Sequence, residues 1–327
     1  LYEGCCQIDY GNILTRAFQI TKNHRSLWLY GVILAITSGG GSNYFQYISN
    51  FSDLNKGKNT SQSLSLLKNN SFMVKSGSLA LFSSKDSATS ILLIIGLVVL
   101  LAVVVTLVFL LLQYISQAAL IGMVEEIEGS GKTSIKAGFS IGWKKWWRLL
   151  AITLIVSIPA FLISLLIALI LATPSIFAFV YQKTVLGWIL AVPAAIIWIL
   201  LIIAVVVLLG IVITYASRYA VINGLKVIDS VKSGYFLLRQ KIGPSLFLWL
   251  ISIALGMAYG IASTVVFFVL AIILFPIFLL LYSINQWLVL AGLPLAIIAI
   301  FGLIFISGLF QAYFSTYWTL SFKELTA

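Results

Sequence analysis

At 327 residues, 61% of them hydrophobic and only 9% charged, with a mean hydropathy of +1.10, the chain falls outside the soluble globular class, in which roughly a quarter of residues are charged. A net charge of +11 raises nucleic acid as a partner, but the positions of the cations point to anionic lipid headgroups instead.

Of the 20 Lys and Arg, Lys56, Lys58, Lys68, Lys75, Lys85 and Lys183 fall on one side of the expected membrane. The other fourteen fall in the N-terminal segment, around 132–148, around 218–241 and at Lys323. The positive-inside rule then places both termini in the cytoplasm, as expected of an inner-membrane protein. The two cysteines, Cys5 and Cys6, are sequence neighbours, so a structural disulfide is not expected; lipidation is the functional alternative to a bland start of the chain. No apolar run precedes Asp9, so no signal peptide is expected there, and the missing initiator Met suggests a trimmed N-terminus.

In chain order, the first amphipathic segment covers about Asp9 to Arg25. Tyr10, Ile13, Leu14, Ala17 and Phe18 form its apolar face, and Arg16, Lys22, His24 and Arg25 stay wet. A first span follows from Leu27 to Phe51, interrupted at Gly39–Gly41, and leads into a polar outer loop of about 43–88. The Asn-x-Ser triplets at Asn50, Asn59 and Asn69 are glycosylation acceptors only in a eukaryotic secretory setting. The second span starts near Ile91 and ends near Tyr114 to Gln117, and Glu125, Glu126 and Glu128 mark the return to water. The stretch from Glu126 to Thr133 looks like the tail of a phosphate-binding loop. It has Glu126 where that motif needs glycine, and follows a membrane helix where the motif needs a strand. A turn with Thr133 or Ser134 capping the next helix is the better reading.

The second amphipathic helix, about Thr133 to Trp146, places Ile135, Phe139, Gly142, Trp143 and Trp146 on one face, beside Lys144, Lys145 and Arg148. That pairing of Trp with Lys and Arg is typical of interfacial anchors. Spans three and four follow, joined near Lys183. The third amphipathic helix carries Ile228, Val231, Tyr235, Leu238 and Ile242 at steps of three and four, and spans five and six complete the chain.

These segments repeat. Span ends two, four and six read Tyr114-x-Ser116, Tyr215-x-Ser217 and Tyr313-x-Ser315. The amphipathic helices carry the small–aromatic pairs Ala17-Phe18, Gly138-Phe139 and Gly234-Tyr235. The expected fold is therefore an all-α integral membrane protein with six transmembrane helices, formed as three units of one interfacial helix plus two spans. The units cover about 9–124, 131–222 and 226–321 of a single domain. Breakers recur at matched places (Ser38 with the glycines after it, Pro159, Gly256, Pro193 and Pro294), either as kinks or as parts of a site built from broken helices.

No Asp, Glu, Lys, Arg or His falls in 91–124, 149–182, 184–217 or 243–322. Ion-coupled transport usually needs such groups at membrane depth, and no His, Asp or Glu arrangement supports hydrolysis. Catalytic residues, metal ligands and cofactors are accordingly not expected. A polar tier remains at the ends of the even spans. Interhelical hydrogen bonding is one reading of it. The other is a shallow lipid-phosphate site made of Arg218, Tyr215, Ser217, Tyr114, Ser116, Gln117, Gln311, Tyr313 and Ser315. Arg218 is its one cation; its counterparts Gln117 and Thr316 are uncharged.

Residues Ile13 to Phe18 leading into span one, the Gly39–Gly41 tract, and Asp229 to Tyr235 leading into Pro244-Ser-Leu-Phe give nearly the whole chain a likeness. It resembles the six-span prokaryotic membrane domain attached to some glycerophosphodiester phosphodiesterases. The soluble hydrolase barrel of those enzymes has no counterpart here, so the resemblance implies the membrane fold and not the activity. Mitochondrial carriers also use three two-span repeats, but their P-x-[DE]-x-x-[KR] signature is missing. The leading expectation is a non-enzymatic membrane module that binds anionic lipid or a protein partner, without nucleic acid. The alternative is a permease for a small apolar or amphipathic solute.

Overall fold

The computed structural model describes residues 9–38, 87–182, 184–284 and 289–326. Cys5, Cys6, the Gly39–Gly41 tract, nearly all of the outer loop with its three Asn-x-Ser triplets, and Lys183 lie outside the described residues. The described elements are α1 (Tyr10–Asn23), α2 (Ser26–Thr37), α3 (Ser87–Ser130), α4 (Ile135–Val180), α5 (Thr184–Val221), α6 (Val227–Gln240), α7 (Ile242–Ile284) and α8 (Val289–Thr326). Among them α3, α4, α5, α7 and α8 are long and apolar enough to cross a membrane, so the chain is a multi-pass membrane protein whose described residues are all-helical. The 12-residue α2 is apolar but shorter. The expected continuation of a first span beyond Ser38 lies outside the described residues.

Two boundaries differ from the sequence reading. Span two is expected to end near Gln117, yet α3 runs on to Ser130. Nothing from Ala118 to Glu128 breaks a helix except Gly122, and Glu125, Glu126 and Glu128 are good helix formers. The second amphipathic segment is expected as a separate interfacial helix, but it is continuous with the following span in α4. No Pro stands between Lys136 and Ile158, and Pro159 removes a single intrahelical bond. By contrast α6 does separate from α7, at Lys241. Pro244 lies in the first turn of α7, where its missing N–H costs nothing.

At 44 residues α3 is about 66 Å long, twice a hydrocarbon core of roughly 30 Å. Its two halves behave differently. From Ile95 to Phe109 every side chain is exposed, whereas Ala118, Ala119, Leu120, Ile121, Met123 and Val124 are fully buried. The core therefore sits at the basic end of the bundle, where the ends of α3, α5 and α8 meet α1, α2 and α6. Lipid tails compete equally well for apolar side chains at membrane depth. Burial next to water instead stabilises by about 1.5–3 kcal/mol per large apolar side chain. The helices are thus gathered at the one end where the hydrophobic effect acts between them.

Close contacts are made through glycine. A Cβ on Gly31 of α2 would strike the Gly308 carbonyl of α8, and one on Gly308 would meet the Val32 Cα at 2.6 Å. The first and last described apolar helices are in this way packed backbone to backbone. Each small–aromatic pair also divides in the same sense: Ala17, Gly138 and Gly234 are buried, while Phe18, Phe139 and Tyr235 are exposed. α1 packs on α8, α6 packs on α5, and the start of α4 packs on α3, where a Cβ on Gly142 would meet the Ile115 carbonyl oxygen at 2.5 Å. The apolar stripes expected to face lipid are therefore split. In α6, Ser230, Gly234, Leu237 and Leu238 face protein, while Ile228, Tyr235 and Phe236 face outward.

Several cations hold this end together. Arg148 Nη1 donates to the Gly224 carbonyl at 2.8 Å, Lys145 Nζ donates to the Val221 carbonyl, and Lys241 Nζ donates to the Leu325 carbonyl at 2.6 Å. All three meet carbonyls at or just past helix C-termini, the negative end of the helix dipole. Arg16 pairs with Glu128 at 2.7 Å and Lys323 with Glu125 at 2.9 Å. Part of the basic excess thus has structural work. Ser134 caps α4, accepting from the Ala137 N–H at 3.2 Å, as the sequence anticipates.

Candidate functional site

The polar tier lies along the ends of α3, α5 and α8 that enter the buried core. Its members have different surroundings. Tyr215 is fully buried, its ring centroid 6.2 Å from Trp318 and 6.3 Å from Phe322. Ser217 is buried and donates to the Ile213 carbonyl at 2.7 Å, the usual way a helix serine satisfies itself in an apolar setting. Ser116 is buried and Gln117 half-buried; Tyr114 packs beside Ala118, Ile121, Leu149 and Val221. Gln311 is half-buried, and Ser315 is buried with no partner for its Oγ. Tyr313 is half-buried, packs against the main core and also lines an outward-facing cleft with α1 and α2.

Arg218 departs from expectation most. A helix-end arginine is expected to extend its head to the membrane surface, but this one is only 5% exposed. On the α5 wheel it lies midway between Tyr215, which enters the main core, and Val221, which packs with Ala118 and Ile121 of α3. It therefore faces the place where α3 and α8 close on α5. Its Nη1 donates to the Thr214 carbonyl one turn back, at 2.8 Å, and its Nε has no partner. Among the described residues the ion pairs are Arg16–Glu128 and Lys323–Glu125, so no carboxylate balances Arg218.

The neighbouring hydroxyls are also under-used. Tyr215 Oη and Ser245 Oγ lie side by side, yet neither has a well-formed hydrogen bond. Tyr317 is fully buried and donates to the Leu248 carbonyl at 2.9 Å. Thr316, the counterpart of Arg218 on α8, is fully buried and donates to the Ala312 carbonyl at 2.9 Å. The arrangement is one buried guanidinium and several hydroxyls, with spare donors and no anion of the protein's own.

Ser245 and Tyr317 are the site residues that sequence reasoning overlooks. Ser245 follows the Gly243-Pro244 break, a signal that a turn of backbone enters the core there. Tyr317 lies one turn beyond Tyr313 on the same helix face, which could have flagged it.

The family of unknown function DUF7544 matches residues 14–326, and the chain belongs to it. No curated protein and no solved structure matches the chain.

Proposed function

Since the family has no assigned function, the reading rests on the chain's own residues, and we propose that the protein is a non-enzymatic, multi-pass membrane module that binds an anionic lipid headgroup at its basic end. The single observation that carries this is Arg218, a buried guanidinium with a free Nε and no carboxylate beside it. Leaving a charge unpaired away from water costs several kcal/mol, and a phosphate would offset that through a charge-assisted hydrogen bond. Tyr215 and Ser245 supply further donors. In this reading the basic end is cytoplasmic and the membrane is the inner one, as the distribution of Lys and Arg supports.

The frame we propose has six spans, with α2 as the start of the first, in three units around an axis along the membrane normal. Support comes from the way each interfacial segment packs on the even span of the preceding unit: α1 on α8, the start of α4 on α3, and α6 on α5. Each also buries the small member of its pair and exposes the aromatic. The likeness to the membrane domains of some glycerophosphodiester phosphodiesterases agrees with such a frame.

The permease reading is favoured by one feature, a cleft of about 300 Å³ between α4 and α5. Alanines 168, 172, 191, 194 and 195 line it together with Ser175, a buried serine whose Oγ has no partner. The decisive experiment is native mass spectrometry of Arg218→Gln. Loss of co-purifying anionic lipid, with the variant still folded and monodisperse, is the expected result. Unchanged lipid would make Arg218 a packing residue. A co-purifying protein in place of lipid would move the reading to a protein partner.

A further inference from the structure

The cleft beside Tyr313 is a second candidate place for a ligand. It has a volume of about 320 Å³ and is lined by Phe18, Thr21, Lys22, Trp28, Leu309, Phe310 and Tyr313. Its walls come from α1, the start of α2, and α8. The Trp28 indole is held as a wall because its Nε1 donates to the Thr21 carbonyl at 2.7 Å, and its ring meets Phe305 edge-on at 5.9 Å. Phe310 is held by stacking on Tyr259 at 4.0 Å. The cleft is therefore a shaped surface of fixed aromatic rings.

Comparison with the proposed repeat makes its opening informative. Phe18, Phe139 and Tyr235 are counterparts, so the same offsets pair Trp28 with Leu149 and Ser245, and Lys22 with Trp143 and Arg239. Tyr313 then corresponds to Tyr114 and Tyr215. In the second unit Tyr114 packs on the fully buried Leu149. In the third, Tyr215 and Ser245 are both fully buried, and Ile211 and Val212, the counterparts of Leu309 and Phe310, are buried as well. Two units fill this position with their own side chains, whereas the first leaves it open. Two cations lie against its walls: Lys22, which is part of the lining, and Arg25, whose guanidinium lies 5.8 Å from the Trp28 ring centroid. Among the described residues neither is in an ion pair.

We infer that this cleft seats one acyl chain of an anionic glycerophospholipid, with its phosphate on Lys22 and Arg25. The aromatic floor is apolar, α1 is amphipathic in the manner of a helix lying at headgroup depth, and the volume lies within the range of small-ligand sites. The two cations select negative charge. The site shares its ligand class with the Arg218 reading and, of the polar tier, only Tyr313.

The test uses the full-length protein in phosphatidylcholine nanodiscs containing phosphatidylglycerol with a diazirine in one acyl chain. After photolysis, adducts are mapped by peptide mass spectrometry. Adducts are expected to concentrate at Phe18, Trp28, Leu309 and Phe310. Lys22→Gln, at an exposed position, should reduce the preference for this probe over its phosphatidylcholine equivalent about fivefold, the worth of one surface cation near an anionic headgroup. Leu309→Trp should fill the cleft and abolish the adducts; if that variant does not fold, Lys22→Gln decides alone. Arg218→Gln should leave cleft labelling unchanged, so failure at one site is distinguishable from failure at the other. Labelling no denser in the cleft than along 97–108 of α3 overturns the inference. Equal labelling by the phosphatidylcholine probe in the unaltered protein does so as well.

Discussion

A guanidinium that is 5% exposed with no carboxylate beside it is a stability cost unless something outside the chain balances it. The sign of that cost can be measured. Replacing even a buried ion pair with apolar side chains of similar volume is often neutral or stabilising by about 1–4 kcal/mol, and Arg218 has no paired carboxylate to strand. Arg218→Met should therefore unfold at a higher temperature than the unaltered protein when both are stripped of lipid in neutral detergent. Adding an anionic phospholipid should raise the melting temperature of the arginine protein and leave that of the methionine variant nearly unchanged, because a ligand stabilises only the state that binds it. A methionine variant that is less stable in both conditions would mean that the arginine stem and its bond to the Thr214 carbonyl are what matter at this position. The existence of a cation in the tier is legible in the sequence. Its burial is not, because a helix-end arginine extends to the surface or turns inward according to which helix ends surround it.

At the level of elements, the small–aromatic pairs are legible in the sequence, and in each the small residue is buried and the aromatic exposed. A Cβ on Gly234 would already meet the Ala216 nitrogen at 2.9 Å and the Val212 carbonyl oxygen at 3.0 Å. Both are backbone atoms of α5 and cannot rotate away. Gly234→Leu should lift α6 from α5 and destabilise by about 1–3 kcal/mol, seen as a lower melting temperature. Tyr235→Leu, one residue on and exposed, should stay within about 0.5 kcal/mol. Equal effects at the two positions would mean that α6 is not seated on α5 by its glycine face. What periodicity does not reveal is the continuity of α4. An amphipathic stripe followed by a span has the same hydrophobic pattern whether or not the backbone bends between them, and the absence of a breaker between Lys136 and Ile158 is weak evidence for a straight run. Neither does it reveal that α6 is apolar on two sides, one set against protein and one exposed. The lipid-facing stripe and the protein-facing stripe are both apolar and merge on a helical wheel.

For the molecule as a whole, the polarity of the bundle follows from where the burial lies. The core gathers at the end that carries Arg16, Lys145, Arg148 and Lys241, and there those cations meet glutamates and C-terminal carbonyls. The far end of α4 and α5 has a short turn at Tyr181 and Gln182, with exposed aromatic side chains around it. Positive charge is retained on the cytoplasmic side of a membrane during insertion, so the end that holds the core should be the cytoplasmic one. The last turn of α3, where Gly129 is exposed, and the turn after it, where Gly131 has a φ of +72°, then lie inside the cell, and the loop containing Ser65 lies outside. In a background with Cys5 and Cys6 changed to serine, Ser65→Cys should react with a membrane-impermeant maleimide in intact cells. Gly129→Cys should react only after permeabilisation. The reverse pattern would place the core, Arg218 and the Lys22 cleft on the outer face. It would also leave an inside-out distribution of fourteen cations against six with no insertion mechanism to account for it.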